Sequence, residues 1–317
     1  MLLEILLVLW IIAGGIILWE KNILRMLIWL GLVSFIAAIT FFMIAAPDVA
    51  MAEAAISGFA AIFFIVCFEK YYLLRDPVAE ATDAQRNQKT HVLTSYGLPL
   101  ILIVVLFGLF LYFIPPTYPD SYLKAAYLRR AAFDVGGENV VGAIILGYRV
   151  FDTLFEALML VVAVVATIHM SAFSDAPLLE ERRTGIEKDR VALFLMRIIA
   201  PITLVFGVYL IANGFLTAGG GFQGGLAIAA FFIVRYMVYD IYDISMAKVN
   251  RMEKLVFTAI SLIAILIVFQ NLQAWVPEHL LPGFQVAYLI LMNTLIGLKV
   301  ACGFLILFYR YIAIERN

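Results

Sequence analysis

The sequence has few charged residues and few cysteines, and each shortage excludes a class of protein. Charged residues make up 14% of the 317 positions and hydrophobic residues 64%, whereas a soluble domain is about a quarter charged and about half apolar. The two cysteines, Cys67 and Cys302, form no CxxC pair and no Cys/His cluster, which argues against disulfide scaffolds, zinc sites, iron–sulfur clusters and haem attachment. The formal net charge of −1 gives no basis for nucleic-acid binding.

Long apolar runs take the place of these features. A membrane-spanning helix needs about 20 mostly apolar residues, and nine runs fit this use: 2–19, 26–45, 50–68, 96–114, 151–170, 191–212, 224–239, 255–269 and 286–309. We therefore predict an all-α, polytopic integral membrane protein in the lipid bilayer, with nine transmembrane helices. The first run is long enough to span and lacks a basic lead-in, so we interpret it as a helix and not as a cleavable signal peptide.

The lysines and arginines predict the orientation. The odd-numbered loops and the C-terminal tail carry basic residues, and only the fourth loop, with Lys124, Arg129 and Arg130, breaks the alternation. Because basic residues concentrate in cytoplasmic loops, the N-terminus is predicted outside and the C-terminus in the cytoplasm. The polar segments 75–91 and 174–190 are predicted cytoplasmic linkers. They divide the chain into modules of three, two and four helices, at 1–75, 92–173 and 189–317.

Ionisable residues inside the apolar runs are the candidates for function, because a charge at the bilayer centre costs about 2.5–3.5 kcal/mol. Glu53 lies in the third run, Asp152 and Glu156 lie one turn apart on the fifth, and Lys299 lies near the middle of the ninth. Lys299 is too deep to reach water by its own length and needs a carboxylate or water inside the protein. We predict that these four residues line an ion or proton path.

Plainer interpretations stay open for the carboxylates. Pro47 and Asp48 are typical of a helix start, with Asp48 as a cap that accepts hydrogen bonds from free backbone N–H groups. Glu53 would then be an interfacial carboxylate. Arg149 could form a salt bridge with Asp152 or its neighbouring glutamate where the fifth span begins.

A glycine-rich segment, NGFLTAGGGFQGG at 213–225, joins the sixth and seventh runs. Its residues of interest are Gly219, Gly220, Gly221, Gln223, Gly224 and Gly225. We expect the backbone to break or turn here. Two roles stay open, a loop that lines a cavity and a tight hairpin that lets helices pack closely. A phosphate loop is excluded by the lack of a GK[ST] motif, and the sequence predicts neither a catalytic residue nor a metal site.

Four motifs, in order, resemble membrane subunits of Mrp-type multisubunit Na+/H+ antiporters and of membrane-bound hydrogenases. APDVAMAEAAISG at 46–58 resembles a segment near the C-terminus of the Mrp A subunit, which is also the hydrogenase D subunit. ENVVGAIILGYRVFDTLFEALML at 138–160 resembles the next element, found in the A-subunit tail or the hydrogenase E subunit. NGFLTAGGGFQGGLAIAAFFIVRYM at 213–237 and LIGLKVACG at 295–303 resemble the Mrp B subunit. The chain resembles a fusion of these three parts.

The chain departs from the family pattern at three positions. The family histidine after Asn-Gly is Phe215 here, and the proline before the glycines is Ala218. An acidic residue of the second motif is replaced by Gly147. The glutamates of the first two motifs and the lysine of the last are retained.

The resemblance implies a membrane subunit of an Mrp-type cation/proton-translocating complex, contributing to a Na+/H+ path or to assembly. The complex is either a stand-alone antiporter or the membrane arm of a hydrogenase or ferredoxin-linked enzyme related to respiratory complex I. The implied partners are large antiporter-like subunits and small B-, C-, E-, F- and G-type subunits, with hydrogenase or iron–sulfur subunits in the second setting. It implies Na+ and H+ as transported ions, no cofactor in this chain, and the cell (inner or plasma) membrane. Any enzymatic activity would belong to the partners.

Two alternatives stay open. The chain could be a purely structural scaffold without its own ion path. It could also be an independent secondary transporter, although the sequence has no inverted repeat and no paired broken helices at matching positions.

Overall fold

The computed structural model describes residues 2–73, 122–170, 190–239, 245–269 and 279–313, with 104–105, 107–108, 112 and 276–277. In these ranges the regular secondary structure is helical and no strand occurs. The chain forms two compact units, one made of Met1–Phe68 with Tyr127–Asn317, and the other of Glu69–Ala126. The all-α class predicted from the sequence is confirmed.

The described ranges hold ten α-helices and one π-helix. They are α1 (Leu2–Trp19), α2 (Ile23–Met43), α3 (Pro47–Leu73), α4 (Tyr122–Asp134), α5 (Val140–Ala143), a π-helix (Ile144–Tyr148), α6 (Val150–Met170), α7 (Arg190–Asn213), α8 (Gly221–Tyr239), α9 (Met246–Phe269) and α10 (Leu281–Ala313). Six of them, α1, α2, α3, α6, α7 and α10, hold a stretch long and apolar enough to cross a membrane. The apolar part of α8 is shorter, Gly221–Arg235.

Eight of the nine predicted spans fall on these helices. The fourth span, at 96–114, lies mostly outside the described residues. The predicted linkers at 75–91 and 174–190 also lie outside them, except for Arg190, where α7 begins. The number nine and the orientation therefore stay predictions. The described part of the fourth loop holds α4, α5 and the π-helix, and α4 carries the basic residues that break the charge alternation.

The core of the larger unit surrounds α10, which contacts α6, α7, α8 and α9. In the apolar stretch of α10 67% of the residues are buried, against 6% in α1. The part of α3 within this unit packs on α10 through aromatic rings, with the centroids of Phe59 and Phe304 4.7 Å apart. The peripheral helices therefore present most of their apolar side chains outward, as expected where lipid or other membrane subunits cover them.

The glycine run forms a turn only in its first part. Gly219 and Gly220 have φ angles of +149° and +146°, a region that side chains with a Cβ rarely adopt. The amide of Gly220 donates to the carbonyl of Leu210, which closes the turn. From Gly221 onward the chain is helical and forms the first turns of α8, with Gln223 half-buried. The predicted break of the backbone is therefore shorter than the glycine run.

The helical glycines let three helices approach closely. A Cβ at Gly221 would lie 2.5 Å from the carbonyl oxygen of Asn293, and one at Gly225 2.5 Å from that of Gly297, both on α10. A Cβ at Gly224 would lie 2.6 Å from a carbonyl oxygen of α7. Since these contacts leave no room for a side chain, the glycines serve close packing of α7, α8 and α10.

Candidate functional site

A buried lysine–glutamate pair lies between α9 and α10. Lys299 has no exposed surface, and its Nζ lies 3.5 Å from Oε1 of Glu253, whose side chain is 1% exposed. Lys299 was expected to need a carboxylate or water inside the protein, because it is too deep in its helix to reach bulk water by its own length. The structure supplies this carboxylate from α9.

The sequence did not single out Glu253, because it stands among the charges taken for the loop before the eighth span. In the structure α9 begins earlier, so Glu253 points inward while Arg251 and Lys254 are exposed. A usable signal was present: Glu253, Val256 and Ile260 have helical spacing, and all three are buried. A carboxylate on the buried stripe of a membrane helix requires a partner.

The pair is held by charge more than by hydrogen bonding. A separation of 3.5 Å exceeds the usual 2.7–3.2 Å of an N–H···O bond. Within the described part of the chain, Lys299 Nζ and Glu253 Oε1 are buried and make no hydrogen bond, and the same holds for Asn250 Oδ1. Three polar atoms of this region therefore lack the partner that buried polar atoms normally have.

Glu156 lies beside this pair, on α6. A Cβ at Gly303 of α10 would lie 2.9 Å from Leu160 of α6. The two helices run parallel, since Tyr288, earlier on α10, contacts Leu146 just before α6. Leu160 and Gly303 come one turn after Glu156 and Lys299, so the latter two lie level with each other. The charges of Glu156 and Lys299 interact, yet Glu156 is exposed at the surface of the chain. The lysine is thus flanked by one outer and one inner carboxylate.

Asp152 takes part in a different contact. Its carboxylate accepts a hydrogen bond from Nε of Arg149, and the two side chains are 56% and 64% exposed. An exposed ion pair of this kind contributes about 0–1 kcal/mol. The structure therefore places Asp152 in the salt bridge that was the plainer interpretation, and its role in an ion path stays a prediction.

Glu53 lies half-buried on α3. The rings of α10 that face α3 are Phe304, Phe308 and Tyr311. At 3.6 residues per turn these positions lie about 120–180° around the helix from Lys299. Glu53 and the Glu156–Lys299–Glu253 cluster are therefore on different sides of α10, and the structure does not bring them together.

A second polar cluster joins the first, second and third predicted modules. The Asn139 Nδ2 donates to Asp48 Oδ1 (2.9 Å) and to the carbonyl oxygens of Gly214 (3.1 Å) and Thr217 (2.9 Å). The amide of Gly219 also donates to Asp48 Oδ1, at 3.3 Å. Asp48, predicted as a helix cap, thus accepts hydrogen bonds from two distant segments.

The local structure fixes both members of this second cluster. Pro47 is the first residue of α3, as the sequence predicted, and places Asp48 in the first turn. Oδ1 of Asn139 accepts from the amides of Val141 and Gly142 and so caps α5. Because the oxygen of Asn139 is used for its own helix, its nitrogen is left to face Asp48 and the glycine turn.

The departures at 147 and 215 have a packing explanation. A Cβ at Gly147 in the π-helix would lie 2.6 Å from the methyl groups of Val135, so the acidic residue of the related motif has no room here. Phe215 packs against the apolar core, and its carbonyl accepts the Asn139 amide at 2.9 Å. The turn therefore keeps its backbone contacts without the family histidine.

Two family models match the chain. One, described as a domain related to the MnhB subunit of a Na+/H+ antiporter, matches residues 191–306. The other, which describes the D subunit of MBH, matches residues 8–72. Putative antiporter subunits mnhA2 from several Staphylococcus aureus strains are 31% identical over 168 residues, which is 50% of this chain. The chain spans only 19% of the length of those relatives.

Two solved structures have a similar fold. The structure of the Mrp complex from Dietzia sp. matches 95% of this chain and 34% of the matched chain, with a TM-score of 0.64 and 19% identity. The membrane-bound sulfane sulfur reductase, an archaeal respiratory membrane complex, matches 68% of this chain and 95% of the matched chain. Its TM-score is 0.54 at 23% identity. At these identities the likeness shows the fold.

Proposed function

We propose that this chain, a membrane-arm subunit of the Mrp and membrane-bound hydrogenase type, relays protons within a cation/proton-translocating complex. The relay consists of Glu156, Lys299 and Glu253, which three neighbouring helices bring to one level. Na+ and H+ are the proposed transported ions. The partners are the large antiporter-like and small membrane subunits of such a complex, in a cell membrane, either in a stand-alone antiporter or beside hydrogenase or iron–sulfur subunits.

The buried pair of Lys299 and Glu253 is the observation that carries this proposal. Removing two charges from water costs more than their attraction returns unless hydrogen bonds complete the site. Here the separation is long and hydrogen bonds are missing within the described residues. A well-packed apolar pair would serve stability better, whereas ionisable groups inside membrane proteins typically mark ion and proton routes.

The arrangement suits stepwise proton transfer. Glu156 lies at the chain surface, where a neighbouring membrane protein of the complex can deliver a proton to it. Protonation of Glu156 removes one of the two negative charges that face the ammonium of Lys299, so the lysine proton passes more readily to Glu253. Reprotonation of Lys299 from Glu156 restores the charges of these two groups, and release of the proton from Glu253 completes the cycle.

The relay is tested in the whole complex with Glu156→Gln, Glu253→Gln and Lys299→Ala. We expect Na+/H+ exchange, followed by a pH-sensitive dye in membrane vesicles, to fall about tenfold or more in each variant, since proton-transfer groups contribute about 10²–10⁴-fold. The subunits should still co-purify. Glu138→Gln, which changes an exposed carboxylate before α5, serves as the control. Normal exchange in all three relay variants would overturn the relay.

A structural scaffold is the second candidate, because the cluster at Asn139 and Asp48 ties three parts of the chain together. For a scaffold, assembly depends on these contacts while exchange does not depend on titratable groups. Full exchange in the relay variants together with loss of co-purification in Asn139→Leu would identify this role.

A further inference from the structure

We propose that a hydrated half-channel leads from Lys299 and Glu253 along α9, past Asn250, to the membrane face at which α9 begins. This inference rests on the proposed relay, for which it supplies the exit. It names two residues, Glu253 and Asn250, that the motifs shared with the related proteins do not include.

The polar atoms without hydrogen bonds follow one another along α9. Asn250 and Glu253 are three residues apart, so their side chains lie on one helix face, and Lys299 faces Glu253 from α10. Their buried atoms Oδ1, Oε1 and Nζ make no hydrogen bond within the described residues. A buried water needs two to four polar partners, and these three atoms offer them. A water beside the pair would accept a hydrogen bond from Nζ and donate one to Oε1.

The path opens toward one face only. Asn250 comes four residues after the first residue of α9, or about 6 Å along the helix axis. In the other direction Val256 and Ile260 continue the buried stripe with apolar side chains. The exposed Lys248 and Arg251 surround the beginning of α9. Under the positive-inside rule this face is cytoplasmic.

The charged groups around Lys299 set the direction of the proposed proton route. Among the described residues, the titratable side chains that interact with Lys299 are Glu253 on α9, Glu156 on α6 and Cys302 on α10 itself. Since Glu156 lies at the chain surface and Glu253 lies inside, protons reach Lys299 sideways through Glu156 and leave along α9. The proposed route is therefore bent within the bilayer.

Cysteine labelling tests whether water reaches position 250 from the face at which α9 begins. In the whole complex, Cys67 and Cys302 are replaced by alanine and Asn250→Cys is introduced. A charged, membrane-impermeant methanethiosulfonate reagent should modify this cysteine from the face at which α9 begins, in inside-out vesicles, and not from the opposite face. Lys248→Cys, exposed near the start of the helix, is the positive control. Ile260→Cys, at a fully buried apolar position, is the negative control.

Exchange activity gives a second readout. Asn250→Leu keeps the approximate side-chain volume but removes the polar atoms, and we expect exchange to fall about tenfold, as for loss of a proton-transfer step. Asn250→Ser keeps a polar oxygen and should retain most of the exchange. Co-purification of the other subunits shows whether each variant assembles.

The outcomes separate this inference from the relay. If Asn250→Cys reacts no faster than Ile260→Cys, or only from the opposite face, the half-channel is overturned even when exchange still depends on Glu253. If Glu253→Gln and Lys299→Ala exchange normally, the relay itself fails, whatever the labelling shows. Labelling from the expected face together with loss of exchange in Asn250→Leu supports both.

Discussion

Two ion pairs of this chain differ sharply in what surrounds them. Arg149 and Asp152 lie exposed at the start of α6, where water screens both charges. Lys299 and Glu253 have almost no exposed surface, so each depends on the other for its charge to be tolerated. Loss of one member then leaves an isolated charge inside the helix bundle, which is far more costly than the loss of the whole pair.

This difference predicts how single and double substitutions of the buried pair change the stability of the protein. Lys299→Ala should destabilise the protein by about 3–5 kcal/mol, because Glu253 stays buried without its partner. The double variant Lys299→Met with Glu253→Leu should regain most of this stability and still lack exchange. Thermal unfolding of the purified complex measures the first effect and vesicle assays the second. Asp152→Asn, the exposed control, should change stability by about 1 kcal/mol or less. A double variant no more stable than Lys299→Ala would contradict the argument.

At the scale of helices, close contact depends on the glycines of α7, α8 and α10. The backbone of α8 lies so near its neighbours that even a methyl group meets carbonyl oxygens at 2.5–2.6 Å. Such contacts replace large apolar side chains as the source of packing between membrane helices. The same geometry holds Lys299 at its depth, because α10 is fixed by α8 on one side.

Gly224→Ala should therefore separate α7 from α8. Overpacking of this kind costs about 1–3 kcal/mol, which should appear as a lower thermal midpoint of the purified complex. Gly58→Ala in α3 is the matched control, since a Cβ there meets nothing within 4 Å. Alanine is favoured over glycine inside a helix by about 1 kcal/mol, so this control should be neutral or stabilising. Equal behaviour of the two variants would disprove the packing role.

The sequence predicts how deep a residue lies along its helix better than which neighbouring helix its side chain faces. Apolar run length located the helices, Pro47 marked the start of α3, and the position of Lys299 alone implied a buried partner. A linear pattern does not say which helix supplies that partner, so Glu253 was taken as a loop charge. The same limit hid the placement of Glu53 on another side of α10. The glycine segment was expected to break or turn, and it turns at Gly219 and Gly220, but glycine content alone did not show that the helix resumes at Gly221.

At the scale of the whole chain, several described helices present apolar side chains outward. Outward apolar side chains line α1 and α2, and on α6 the exposed Phe155 and Met159 flank Glu156. A carboxylate at this depth facing lipid would carry a penalty of a few kcal/mol. Another membrane subunit that covers α6 would remove that penalty and connect the relay.

The isolated chain should therefore transport nothing. The proposed relay begins at Glu156 on the chain surface, where a neighbouring subunit would supply the proton, and the sequence has no inverted repeat for alternating access. The purified chain is placed in vesicles under an imposed pH or sodium gradient, with the complete complex as the positive control. Robust exchange by the chain alone would overturn this expectation.

The last prediction concerns a chain cut between its second and third modules. A break within 174–189, a predicted linker outside the described residues, should leave two pieces that co-purify when expressed together. Contacts across the cut support this: Asn139 binds the carbonyls of Gly214 and Thr217, and Tyr288 donates to the carbonyl of Leu146 at 2.7 Å.

Asn139→Asp should break that association. It replaces the donating nitrogen by an acceptor that faces Asp48 and the carbonyls of the glycine turn, so like charges meet and buried acceptors lose their donor. We expect a cost of about 3 kcal/mol or more, which lowers the association constant of the two pieces at least about a hundredfold. Less of the second piece should then co-purify with the first. Asn22→Ala, which removes only the local cap of α2, should leave recovery unchanged. Equal recovery with Asn139→Asp would mean that the helix contacts of α10 alone hold the modules together.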